Sequence, residues 1–112
     1  MRTPPEFEDR LPALIDAYPR LFKGSVRDPY SYLGPGWFSI VNQLCQVINA
    51  SLSDAESDQF YVTQIKEKTG FLRFRFACSE AMRPQIRALV RATEDATMTI
   101  CSDSGKSKEK PI

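Results

Sequence analysis

Phe60-Tyr61-Val62-Thr63-Gln64-Ile65-Lys66 and Phe71-Leu72-Arg73-Phe74-Arg75-Phe76, joined by a turn around Lys68-Thr69-Gly70, decide the fold. Both halves are rich in β-branched and aromatic residues and alternate in polarity with period two, the pattern of a half-buried β-hairpin. Strict alternation puts Tyr61, Thr63, Ile65, Leu72, Phe74 and Phe76 on the core face. Val62, Gln64, Lys66, Arg73 and Arg75 then fall on the outer face. A slip of one residue would mix these sets, so the pattern predicts the register. Thr69 is poorly suited to positive φ, which favours a connection longer than two residues that uses Gly70.

A lone hairpin is marginal in water and needs cover. Upstream, Phe7, Leu11, Leu14, Ile15 and Tyr18 form one apolar stripe of a helix that ends at Tyr18-Pro19. Residues 23–36 hold Gly24, Pro29, Gly34, Pro35 and Gly36 with Tyr30 and Tyr32 interleaved, and read as a long loop. A second helix runs from Pro35-Gly36 to about Leu52, its stripe being Trp37, Ile40, Val41, Leu44, Val47, Ile48 and Leu52. Ser53 to Asp58 reads as a polar loop. Downstream, a last helix spans roughly Ser79 to Ala96, with Met82, Ile86, Leu89, Val90 and Thr93 inward. Thr97–Cys101 reads as an extended piece able to add a third strand. The fold class is therefore α+β: one domain over residues 1–101, helices packed on a β-hairpin or small antiparallel sheet. A Lys- and Ser-rich tail over 102–112 reads as disordered.

Composition narrows the function. With no histidine, Ser-His-Asp and Cys-His catalysis and His-containing zinc sites are excluded. A net charge of +1 offers no global attraction to nucleic acid or membrane, and no apolar run approaches the ~20 residues that span a bilayer. The start, Met1-Arg2-Thr3-Pro4-Pro5-Glu6, does not look like a signal peptide. Cys45, Cys78 and Cys101 are odd in number and widely spaced, as reduced intracellular thiols are. In Cys101-Ser102-Asp103-Ser104-Gly105 a serine stands where a Cys-x-x-Cys-Gly knuckle would carry its second thiolate. No metal site, cofactor or enzyme activity is expected, and the expected location is the cytoplasm of a bacterial host cell.

Binding is the remaining class. Arg83, Arg87 and Arg91 recur at i, i+4 and i+8, one row along the last helix. Lys66, Arg73 and Arg75 share the outer hairpin face, and together the two sets make a candidate basic surface. Phe74 and Phe76 fall on the opposite face, which argues against a base-stacking platform of the RRM kind. Tyr30 and Tyr32 are of the residue type that anchors protein interfaces. Trp37 and Cys45, on the apolar stripe of the second helix, read as core.

The order of Tyr18-Pro19-Arg20-Leu21-Phe22, Gly36-Trp37-Phe38 leading to Leu44-Cys45, Val62 to Lys68, Leu72-Arg73-Phe74 and Cys101 resembles a family of small proteins encoded by tailed phages and bacterial genomes. That family commonly ends in a Cys-x-x-Cys-Gly knuckle, which is degenerate here. The resemblance implies a phage or mobile-element context and no particular activity. With it, the expectation is a non-enzymatic protein that binds and inhibits a bacterial protein, a host-defence component in the manner of anti-CRISPR proteins. Tyr30, Tyr32, Arg83, Arg87 and Arg91 are its expected contacts. A nucleic-acid-binding accessory protein using Lys66, Arg73, Arg75 and the arginine row, and a toxin-neutralising immunity protein, are the alternatives. A homodimer through the outer hairpin face or the first helix is left open, and no membrane partner is expected.

Overall fold

A computed structural model describes residues 9–23, 26, 31–68 and 70–100. Along these the elements are α1 (Leu11–Ala17), α2 (Pro19–Phe22), α3 (Pro35–Ser51), α4 (Asp54–Ser57), β1 (Tyr61–Lys68), β2 (Phe71–Ala77) and α5 (Arg83–Thr97). The class is α+β: the helices pack on a two-stranded antiparallel sheet, α5 against β2, α2 against β1, and α3 against α5.

The hairpin departs from strict alternation at one residue. Val62 pairs with Phe76 and Gln64 with Arg75, so Thr63 is the extra residue of a β-bulge. Beyond it the parity reverses. Val62 is fully buried and Tyr61 is 42% exposed, the opposite of the periodic reading. Ile65, Leu72 and Phe74 keep their inward places. Lys68 pairs with Phe71, so the connection is two residues long, shorter than expected. Gly70 takes the left-handed conformation (φ 87°) that a glycine adopts without a Cβ clash.

The helical segments begin where prolines allow. Pro12, Pro19, Pro35 and Pro84 each occupy a first helical turn, where the missing N–H has no intrahelical partner to lose. Pro19 thus ends α1 and also opens α2. Asp9 Oδ1 accepts from Leu11 N–H (2.9 Å) and from Leu33 N–H (3.0 Å), while Arg10 N–H donates to the Leu33 carbonyl (2.7 Å). These bonds pin residues 31–34, the described end of the expected loop, onto the core. There Tyr32 N–H donates to the Ile65 carbonyl (2.8 Å) and closes the outer edge of β1.

In α3, Trp37, Val41, Leu44, Cys45 and Ile48 are buried, whereas Val47 is 41% exposed. The inward face is therefore rotated toward Cys45. Ser53–Asp58 is not the loop expected: Ser53 and Glu56 make a capping box that opens α4, each closing the other's free backbone N–H. That hydrogen bonding holds the Glu56 carboxyl below its ordinary value. The last helix starts at Arg83, later than Ser79, because residues 79–82 make tight turns ahead of Pro84. No third strand joins the sheet along 97–100. Thr97 ends α5 fully buried, and the Ile100 carbonyl instead accepts from Trp37 Nε1 (2.8 Å).

Candidate binding groove beside the free edge of the hairpin

The antiparallel ladder decides which backbone groups face outward. Ile65 turns its C=O to Tyr32 and its N–H to Ser31 Oγ (3.5 Å), away from β2. Its partner Phe74 therefore turns its own backbone groups the other way, to the outer edge of β2. With period two, Leu72 and Phe76 do the same. α5 runs along this edge, and Glu94 Oε2 accepts the Phe74 N–H at 3.1 Å.

Along β2 and α5, and reaching Thr63 of β1, lies an open groove of about 510 Å³. Arg73 and Arg75 border it from β2, and Arg87 and Arg91 border it from α5, one helical turn apart. Buried Phe74 and Val90 close its floor. The half-buried Phe76 ring stacks on Phe60 (centroids 5.8 Å apart) and carries the Arg87 guanidinium 5.9 Å above its centre. Glu94 is the carboxylate in the lining, and it is already engaged by a backbone donor. Among the described residues, none of Arg73, Arg75, Arg87 and Arg91 forms an ion pair. A concave surface with such a surplus of guanidinium attracts anions and suits carboxylate or phosphate by paired hydrogen bonds.

The expected contact residues separate into groups. Arg73, Arg75, Arg87 and Arg91 converge on the groove. Arg83 lies a turn before it and donates to the Cys78 carbonyl (3.3 Å). Lys66 pairs with Arg73 across the ladder and does not line the groove. Tyr32 sits at the far edge of β1, and Tyr30 lies outside the described residues. Sequence reasoning missed Glu94 and set Phe76 aside as wholly inward. Glu94 stands three residues after Arg91 and seven after Arg87, a spacing that puts it on the same helix face.

The two thiols among the described residues are poor nucleophiles at neutral pH. Cys45 and Cys78 are free. Burial pushes the Cys45 thiol up to about 12. Burial also raises Cys78, with Arg83 and Arg87 pulling it partly back. Both stay protonated at neutral pH, which leaves little thiolate to react. Among the described residues no group of three His, Cys, Asp or Glu side chains gathers in metal-binding reach, and Cys101 and Ser104 lie outside them. No helix among the described residues is long and apolar enough to cross a membrane.

Several of the residues on which the resemblance rests have structural positions, while Arg73 borders the groove and Cys101 lies outside the described residues. Tyr18 Oη donates to the Asn42 carbonyl (3.2 Å), Arg20 caps the end of α3, and Leu21, Phe22, Trp37, Leu44 and Cys45 are core. No family model, curated protein or solved structure matches this chain.

Proposed function

We propose that this chain is a non-enzymatic binding protein of phage or mobile-element origin that occupies an acidic surface on a bacterial protein, and so inhibits it, through the groove between β2 and α5. One observation carries the reading: Arg73, Arg75, Arg87 and Arg91 surround a concavity whose lining has one carboxylate, and none of the four is ion-paired among the described residues. Unpaired arginines crowded together repel one another, and an arriving polyanion relieves that repulsion. The missing histidine and the raised thiols of Cys45 and Cys78 agree with binding in place of catalysis. A host-defence component is the class of target that the family resemblance suggests.

The test is affinity capture of the tagged chain from bacterial lysate, with and without nuclease, beside an Arg73→Ala/Arg75→Ala/Arg87→Ala/Arg91→Ala variant. The expected result is one dominant protein that survives nuclease and is lost with the variant. Partners that vanish on nuclease treatment would move the function to nucleic acid. A partner that the variant keeps would remove the groove.

A further inference from the structure

Among the described residues, β2 has a strand partner on one side and none along its other edge. Leu72, Phe74 and Phe76 direct their backbone groups there. Among the described residues, the partner that reaches this edge is Glu94, whose carboxylate oxygen sits on Phe74 N–H where a neighbouring strand would place a carbonyl oxygen. An exposed edge of this kind is a template for another chain. Here it is screened by charge, since Arg73 and Arg75 flank it on the outer face and Arg87 and Arg91 face it from α5. That screen repels a second basic edge and admits an acidic one.

Resting on the binding function proposed above, we propose that the partner enters as an extended acidic peptide which adds a third strand to the outer edge of β2. Its main-chain carbonyl replaces the Glu94 carboxylate on Phe74 N–H. Side chains of a strand alternate between faces, so acidic residues at every second position meet Arg73 and Arg75 on the outer face, while the apolar residues between them turn toward Phe74 and Val90 on the side that α5 borders. Glu94 is then an internal placeholder. It satisfies the edge donor in the free protein and withdraws when the peptide arrives, leaving the groove with no negative charge of its own.

The experiment uses a fluorescein-labelled peptide of alternating glutamate and valine, ten residues long, read by fluorescence anisotropy against the full chain. Two further copies are N-methylated at odd or at even residues, which deletes the donors of one strand edge at a time. Strand addition requires one methylated copy to lose about tenfold or more in affinity, while the other stays near the parent peptide. Glu94→Gln keeps an oxygen acceptor for Phe74 and removes the charge, whereas Glu94→Ala removes both. Strand addition makes Glu94→Ala bind tighter than Glu94→Gln by about threefold to tenfold, the cost of displacing one hydrogen bond. If both methylated copies bind like the parent, side-chain charge alone is being read, which overturns strand addition and leaves the arginine groove standing. If the parent peptide fails to bind while capture from lysate still depends on the four arginines, strand addition is likewise overturned. If a labelled dT12 oligonucleotide binds more tightly than the peptide and with the same arginine dependence, the occupant is nucleic acid and the proposal falls.

Discussion

Arg20 is a test of how the helices are held together. Its Nη2 donates to the carbonyls of Asn49 (2.6 Å) and Leu52 (3.0 Å), its Nε to Asn49 Oδ1 (3.0 Å), and its Nη1 to Asp54 Oδ1 (3.2 Å). The Asn49 and Leu52 carbonyls belong to the end of α3, where backbone oxygens have lost their intrahelical donors and carry the negative end of the helix dipole. A hydrogen bond from a charged donor is worth about 1.5–3 kcal/mol net when sheltered. The Arg20 side chain is 32% exposed, so about 1 kcal/mol for each of the two carbonyl bonds is the appropriate scale after solvent screening. Arg20→Met keeps the aliphatic stem and removes the guanidinium, so the expected loss is about 2 kcal/mol. At roughly 4 °C per kcal/mol for a chain of this length, Tm should fall by about 8 °C. The fully exposed Asp54 adds nothing measurable, and Asp54→Ala should unfold like the parent. Urea titrations of the three proteins at low and high NaCl decide it. An Arg20→Met protein as stable as the parent would refute the capping argument. Equal losses in Arg20→Met and Asp54→Ala, erased by salt, would show that the ion pair and not the cap supplies the energy.

The bulge at Thr63 makes a sharp comparison: Val62→Ala should cost about 2 kcal/mol by removing buried methyls, while Tyr61→Ala stays within about 0.5 kcal/mol. Equal costs in denaturant titrations would restore strict alternation. Trp37→Phe keeps most of the ring and strands the Ile100 carbonyl, an expected loss of about 1–3 kcal/mol in the same assay. In a Cys101→Ser background, Cys78 should react with Ellman's reagent in the native protein and Cys45 only after unfolding; rapid native labelling of two thiols would contradict the burial of Cys45. The raised Cys45 value also has a consequence for stability. Between the ordinary value of 9.0 and about 12 the unfolded state releases a proton that the native state keeps, so the contribution is fully present below 9 and is lost as pH rises toward 12. Cys45→Ala should flatten that alkaline decline, although it costs some stability at neutral pH; an unchanged slope would assign the decline to other groups.

Legibility followed the range of the interactions. The hairpin, the stripe of α3 and the inward row of α5 were readable because each is a local periodicity. The capping box at Ser53 and Glu56 was equally local, and its Ser-x-x-Glu spacing was there to be read as a helix start. The bulge was not: inserting Thr63 is a choice about pairing with Phe76 and Arg75, and the alternation of β1 alone favours the regular register. Half of the candidate groove was legible as the Arg87–Arg91 row and half as the Arg73–Arg75 pair. Their convergence required α5 to lie along the outer edge of β2. Phe76 illustrates the limit, since the same ring packs on Phe60 and carries Arg87 at the groove.

The sequence by itself determined what chemistry is present: no histidine, arginines at helical and strand spacing, and apolar residues sufficient for helices on a hairpin. Tertiary structure decided where that chemistry meets. Glu94 acquires its place only because α5 brings a carboxylate to a backbone N–H on a strand twenty residues away in the chain. The physical reason is that composition and periodicity constrain one element at a time. An edge, a groove and an unpaired cluster of charge are properties of two elements packed together.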